Sequence, residues 1–137
     1  MEVIDADGLI LGRLSSVLAK KLLNGAEIAV INAEKAIIIG KKKMIFAKYK
    51  KMRELSHARK GPHFPRMPDM IFKRTVRGMI PYQTPRGRKA IKNLKVYLGV
   101  PKELDGKKSE PVPVASPESV RQFVKLNEVS RFLGAKI

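Results

Sequence analysis

Apolar residues open the chain as Val3-Ile4 ahead of Asp5, and after Ala6-Asp7-Gly8 their spacing becomes helical. Leu11, Leu14, Leu18 and Leu22 recur every three or four residues with Val17 on the same face, which predicts one apolar stripe on a helix. Asp7 is the expected N-cap, and Asn24-Gly25 the expected stop. Two unbroken apolar runs follow, Ile28 to Ile31 and Ala36 to Ile39, separated by Asn32-Ala33-Glu34-Lys35. Their β-branched content and lack of alternation predict strands buried on both faces. Strand, helix and strand at this spacing predict a parallel βαβ unit.

From Gly40 the texture changes. Lys41 to Ser56 reads as a basic helix with Ile45, Tyr49, Met52 and Leu55 inward. His57 to Pro68 contains Gly61-Pro62, Pro65 and Pro68, which makes it a loop. Pro68-Asp69 opens a short helix to Arg77, closed by Gly78, and Met79 to Pro85 is a second proline-punctuated loop. Thr84 is an N-cap with Pro85 at the first helical position. The next helix is expected to run to about Leu98 and stop at Gly99. On it Ile91, Leu94 and Leu98 form an apolar stripe, and Arg88, Lys92 and Lys95 a neighbouring cationic face. Residues 100–118, with Pro111, Pro113 and Pro117, look extended and linker-like. Phe123 to Leu126 reads as a strand, and Asn127 as the cap of a last short helix that buries Val129, Phe132 and Leu133 and stops at Gly134.

Composition leaves room for one compact domain over 1–137, because 44% hydrophobic residues in 137 suffice for a core. Charge is the outlier, at +17 from 29 Lys and Arg against 12 Asp and Glu. Its distribution is uneven. Residues 41–95 hold eighteen of the basic residues and only Glu54 and Asp69, a net of +16. Such self-repulsion disfavours a compact state unless a polyanion neutralises it, and nucleic acid is the commonest such partner. Residues 1–40 and 119–137 therefore read as scaffold, and 41–99 as basic helices and loops that bind RNA. A block of one sign is often only a solvated face. Here interleaved glycine, proline and aromatic residues favour binding.

With no cysteine there is no disulfide framework and no thiolate metal site. Met1 to Ile10 carries Glu2, Asp5 and Asp7 without a basic start, so no secretory signal is expected, and no apolar run approaches the ~20 residues of a membrane span. A membrane-surface helix would want an aromatic anchor row, and Trp is absent. Asp7-Gly8 to Gly12 after a strand echoes a dinucleotide turn, but the glycine order is wrong and Asp7 would sit where the anion belongs. Gly40-Lys41 lacks the earlier glycine and the hydroxyl residue of a phosphate-binding loop. His57 and His63 have only Glu54 nearby, too little for a metal site or an oriented general base. No catalytic residue, metal ligand, cofactor or small-molecule substrate is expected.

Arg74-Thr-Val-Arg77-Gly78-Met-Ile-Pro81-Tyr82-Gln-Thr-Pro-Arg86-Gly87-Arg88 carries more weight. Arginine offers a planar fork that bridges phosphate oxygens and stacks on bases, and glycine permits close approach to a sugar-phosphate backbone. Tyr82 adds a stacking face. The bland alternative is that Gly78 and Gly87 merely satisfy turns. Phosphate contacts are assigned mainly to Lys41, Lys42, Lys43, Lys48, Arg59, Lys60, Arg74, Arg86, Arg88, Lys92 and Lys95, with Arg77, Gly78, Tyr82 and Gly87 in the loop contact.

Val3-Ile-Asp-Ala-Asp-Gly-Leu-Ile-Leu-Gly-Arg-Leu-Ser-Ser16, Ile31-Asn-Ala-Glu-Lys35, Arg77-Gly-Met-Ile-Pro81 and Leu94-Lys-Val-Tyr-Leu-Gly99 together resemble the large-subunit ribosomal protein thirteen family. Gly61-Pro62-His63 and the tail from Phe123 to Gly134 are similar to its archaeal branch. The resemblance implies an α/β fold, a three-layer α/β/α arrangement on a small four-stranded parallel sheet, with basic helical and loop extensions. It implies a non-enzymatic structural protein of the cytoplasmic ribosome. Such a protein binds large-subunit rRNA directly as a monomer beside other ribosomal proteins, and joins assembly early. Two other classes compete: a DNA-architectural protein, marked by preference for duplex DNA, and a small phosphoryl-transfer enzyme, marked by saturable nucleotide binding.

Overall fold

The computed structural model of the chain describes residues 1–137. Strand β1 (Glu2–Asp5), helix α1 (Leu11–Leu23) and strand β2 (Ile28–Ile31) form the expected parallel βαβ unit, with Glu2 opposite Ile28 and Asp5 opposite Ile31. The apolar stripe holds, since Leu11, Leu14, Leu18 and Leu22 are all buried. The helix starts later than Asp7, with Ile10 at the N-cap and no side-chain cap. Ile10 is held extended by the Ala115 carbonyl (2.8 Å) and by a bridge to Ile37, so the chain cannot coil sooner. Asp7 instead donates its N–H to Asp5 Oδ1 at 3.0 Å. At the other end Asn24 is the C-cap and Gly25 takes φ +94°, a conformation glycine adopts without penalty.

Strand β3 (Ile37–Ile39) leaves this sheet. Asn32 adopts the left-handed conformation (φ 53°) right after β2, and β3 then pairs antiparallel with β5 (Phe123–Lys125), Ile38 opposite Val124. Burial fades along it, from Ile37 inside to Ile39 exposed, so this run is not covered on both faces. Helices α2 (Lys42–Glu54), α3 (Pro68–Gly78) and α4 (Pro85–Lys92) fall close to the expected spans. On α2, Ile45 and Tyr49 are buried, but Leu55 lies beyond the helix end and faces water.

The helix expected to reach Leu98 stops at Lys92. Asn93 caps it, and Leu94–Val96 become strand β4, parallel to β2 with Ile28 opposite Leu94. Asn93 accepts a 3.0 Å hydrogen bond from the Ile28 N–H, and the Tyr97 N–H donates to the Val30 carbonyl at 2.8 Å. A central strand offering a free edge outweighs a helical spacing of three apolar residues. Leu94 is buried as expected, but Leu98 is 38% exposed. Arg88 and Lys92 thus sit on a helix and Lys95 on a strand, so they do not share one helix face.

The parallel sheet therefore has three strands in the order β1-β2-β4, beside a separate two-stranded antiparallel pair. The four-stranded parallel sheet does not form, because Ile37 touches Ile10 through a single bridge and β3 spends its other edge on β5. One sheet face, with Ile4, Ile28, Val30 and Leu94, packs into a core of 24 buried residues shared with α1, α3 and Ala90 of α4. The other face, Val3, Ala29 and Ile31, is covered by Leu104 and Tyr97. A third, helical layer would belong there; the stretch after β4 occupies that place instead. Residues 100–118 contain two short 3₁₀ turns and bury Leu104, Val112 and Ala115. Glu110 donates its N–H to the Val3 carbonyl at 2.8 Å, and Lys21 joins Glu2 (2.7 Å) and Glu110 (2.6 Å) across the outside.

Helix α5 (Leu126–Phe132) follows β5 directly. Lys125 is its N-cap, so Asn127 lies inside the first turn and caps nothing. Val129 is buried, while Phe132 is half-exposed and stacks on Phe46 of α2 with centroids 4.4 Å apart. Gly134 ends the segment at φ +93°.

Candidate nucleic-acid interface

Helix α2 carries its cations outward because Ile45 and Tyr49 face the core at a spacing of four. Lys41, Lys42, Lys43 and Lys48 are all exposed. Lys42 is engaged within the chain, pairing with Glu128 at 2.9 Å and lying 5.3 Å over the Phe46 ring. Its hydrogen bond holds the Glu128 carboxyl below the usual range. Lys41, Lys43 and Lys48 have no acidic partner; Lys50 reaches Glu54 at 3.8 Å. Arg59 and Lys60 stand exposed at the tip of the following loop.

That loop returns under two arginines. Arg53 of α2 donates to the Phe64 carbonyl at 2.6 Å, and Arg74 of α3 donates to the His63 carbonyl at 2.8 Å. Arg74 also lies 5.7 Å over the Phe64 ring. Partial burial, followed by the charge of Arg77, lowers the Arg74 pKa from its ordinary value. One turn on, Arg77 lies over the Tyr82 ring at 4.8 Å. These arginines are locked by the fold before any ligand arrives.

Thr84 caps α4 as the sequence predicts, accepting from the Gly87 N–H at 3.1 Å behind Pro85. The two glycines of the arginine loop part company. Gly78 is exposed at the end of α3, and a Cβ there would meet nothing. Gly87 is buried, and a Cβ there would run into the Pro81 carbonyl and the Tyr82 nitrogen. Its missing side chain serves the packing of loop on helix. Arg86 turns back to the Leu23 carbonyl at 3.0 Å, and Arg88 to the Gln83 carbonyl at 3.0 Å. Lys92 and Lys95 are exposed with no acidic partner.

Two open grooves collect these charges. One, of about 320 Å³, is lined by Pro65, Met70, Lys73, Arg74, Arg77 and Ile91. The other, of about 340 Å³, brings Lys41 and Lys42 beside Arg121 and Phe123, because the Gly40 N–H donates to the Gln122 carbonyl at 3.1 Å. Lys73 belongs to the +16 block and was countable in the sequence. Arg121 was not, since nothing local shows that β5 returns beside Gly40. Arg59 and Lys60 at their loop tip line neither groove. Of the eighteen cations in 41–95, only Lys42 and Lys50 have an acidic partner. A separate groove holds Asp5, Asp7 and Glu110, so acid and base are segregated on the surface. No three His, Asp or Glu side chains gather as a metal site would require, and His57 Nδ1 is spent on the Arg59 N–H of its own turn. No helix is long and apolar enough to cross a membrane.

A family model described as "Ribosomal protein L13" matches residues 1–103. A "Large ribosomal subunit protein uL13" of Archaeoglobus fulgidus is 54% identical over 135 residues, 96% of this chain and 86% of the relative. The protein of that name from Methanosphaera stadtmanae is 52% identical, covering 98% of this chain and 97% of its own length. That from Methanosarcina barkeri is 48% identical over 99% of both.

Proposed function

Because the chain belongs to the ribosomal protein L13 family, we propose that it is a non-enzymatic structural constituent of the large ribosomal subunit that binds large-subunit rRNA directly. One observation carries this reading: sixteen of the eighteen cations in 41–95 have no acidic partner in the fold. An RNA backbone supplies the missing counter-charge, and release of its condensed ions supplies affinity. The contacts are Lys41, Lys43, Lys48, Arg59, Lys60, Lys92 and Lys95 as point charges, with Arg74, Arg77, Arg86 and Arg88 as oriented forks. Lys42 joins them by exchanging Glu128 for phosphate. The protein acts as a monomer among neighbouring ribosomal proteins in the cytoplasm and joins the subunit early, since its α/β scaffold folds without help and its cationic face needs RNA.

Cosedimentation of the tagged full chain with ribosomal subunits in high salt tests the assignment. It should travel with the large subunit and bind a large-subunit rRNA transcript in preference to duplex DNA of equal length. Equal or tighter binding to duplex DNA would favour an architectural DNA protein instead.

A further inference from the structure

The groove between α3 and the end of α4 differs from the rest of the cationic surface in having an apolar floor. Pro65, Met70 and Ile91 line it together with Lys73, Arg74 and Arg77, and no acidic side chain does. Met70 is 56% exposed and is not among the residues packed on the core, so a large flexible apolar side chain is held in water on a helix whose other apolar residues are inside. Arg74 is one turn from Met70 and Arg77 two turns, which places all three along one side of α3. Neither arginine is free to reorient: one is tied to the His63 carbonyl and the Phe64 ring, the other to the Tyr82 ring. Two like charges kept this close without a counter-ion are relieved only by an anion.

A duplex backbone presents phosphate ridges, which cations on a convex surface can meet. An apolar, concave floor beneath fixed guanidinium groups matches a base that has left its stack, with its own phosphate beside it. Resting on the RNA-binding reading, we propose that this groove takes one unpaired nucleotide of single-stranded RNA. The base lies on Met70, Ile91 and Pro65, and the phosphate is held by Arg74 and Arg77. The adaptable thioether of Met70 suits any base rather than one sequence.

The test uses the intact chain with methyl-labelled methionine and two RNAs, a mixed-sequence single-stranded hexanucleotide and a duplex of the same length. The ring current of a seated base should move the Met70 methyl resonance with the hexanucleotide and not with the duplex. Met44, 68% exposed on α2, is the internal control and should stay in place. Met70→Ala should keep the melting temperature while weakening hexanucleotide binding roughly five- to tenfold, the low end of one stacked base, with duplex binding unchanged. A Met70 signal that moves equally with the duplex, or a Met70→Ala chain that binds the hexanucleotide like the parent, overturns the groove. So does a response to an acidic Asp-Leu peptide in place of RNA, which would make the floor a protein contact. If large-subunit rRNA still binds in those cases, the broader RNA reading stands without the groove. Binding of neither rRNA nor hexanucleotide removes both.

Discussion

Gly78 and Gly87 look alike in sequence, each behind an arginine, yet a methyl group added at the two positions meets opposite surroundings. At Gly87 it collides with backbone of Pro81 and Tyr82, which cannot swing away as a flexible side chain can. Gly87→Ala should therefore destabilise by about 1–3 kcal/mol through overpacking, read as a lower melting temperature. Gly78→Ala enters open space in helical backbone and should be neutral or stabilising by about 0.5–1 kcal/mol. If it nevertheless weakens rRNA binding, the glycine is where the RNA backbone comes close. A similar division runs through the arginines. Arg77→Lys keeps the charge but loses the fork and the stack on Tyr82, so rRNA binding should weaken, whereas Lys102→Ala, outside the basic block, should leave affinity unchanged. Arginine density was legible in the sequence. Which arginine serves the fold was not, because the carbonyls that Arg53, Arg74 and Arg86 seek belong to residues 11 to 63 positions away.

The elements divide by how local their determinants are. Helix α1 was legible because four leucines at helical spacing meet no competitor, and α4 began where Thr84-Pro85 said it would. Strand β4 was not, because Ile91, Leu94 and Leu98 fit a helix, and only the free edge of β2 converts Leu94-Lys95-Val96 to strand. The two versions make different demands on the leucines. Leu94→Ala should cost about 2–5 kcal/mol in a thermal or denaturant melt, since Leu94 is 1% exposed under the sheet. Leu98→Ala, at 38% exposure, should cost well under about 1 kcal/mol. Equal losses would restore the longer helix. Helix α2 adds a pH signature, because burial raises the Tyr49 pKa above 10.0. A folded-state pKa above the unfolded one gives stability that is complete below the unfolded pKa and is lost as pH rises through the folded one. Alkaline unfolding should thus begin above pH 10, and Tyr49→Phe, which keeps the ring against Phe64, should move it to higher pH while leaving the neutral melt nearly unchanged.

At the scale of the whole molecule, the fold and its cationic surface respond to salt with opposite sign. The free chain carries +17, and its five ion pairs are all at the surface, three of them outside 41–95. Exposed pairs contribute little, while unpaired like charges repel through a field that salt screens within about 10 Å at 0.1 M. Added salt should therefore raise the melting temperature of the free chain. The same salt should lower rRNA affinity, with log affinity falling linearly in log salt by roughly 0.7 to 0.9 per phosphate contacted. Changing Arg88, Lys92 and Lys95 together to Gln separates the two responses from any one element, because the three cations sit on α4 and β4 and bury nothing. Arg88 gives up only its 3.0 Å bond to the exposed Gln83 loop. The variant should melt at or slightly above the parent temperature and gain less from salt, since three repelling charges are gone. Its rRNA affinity should fall sharply and its salt slope flatten by up to about three contacts. A melting temperature that drops with added salt in the parent would mean that the ion pairs of Lys21, Lys35 and Lys42 outweigh the repulsion. The cationic face would then be stable without a polyanion.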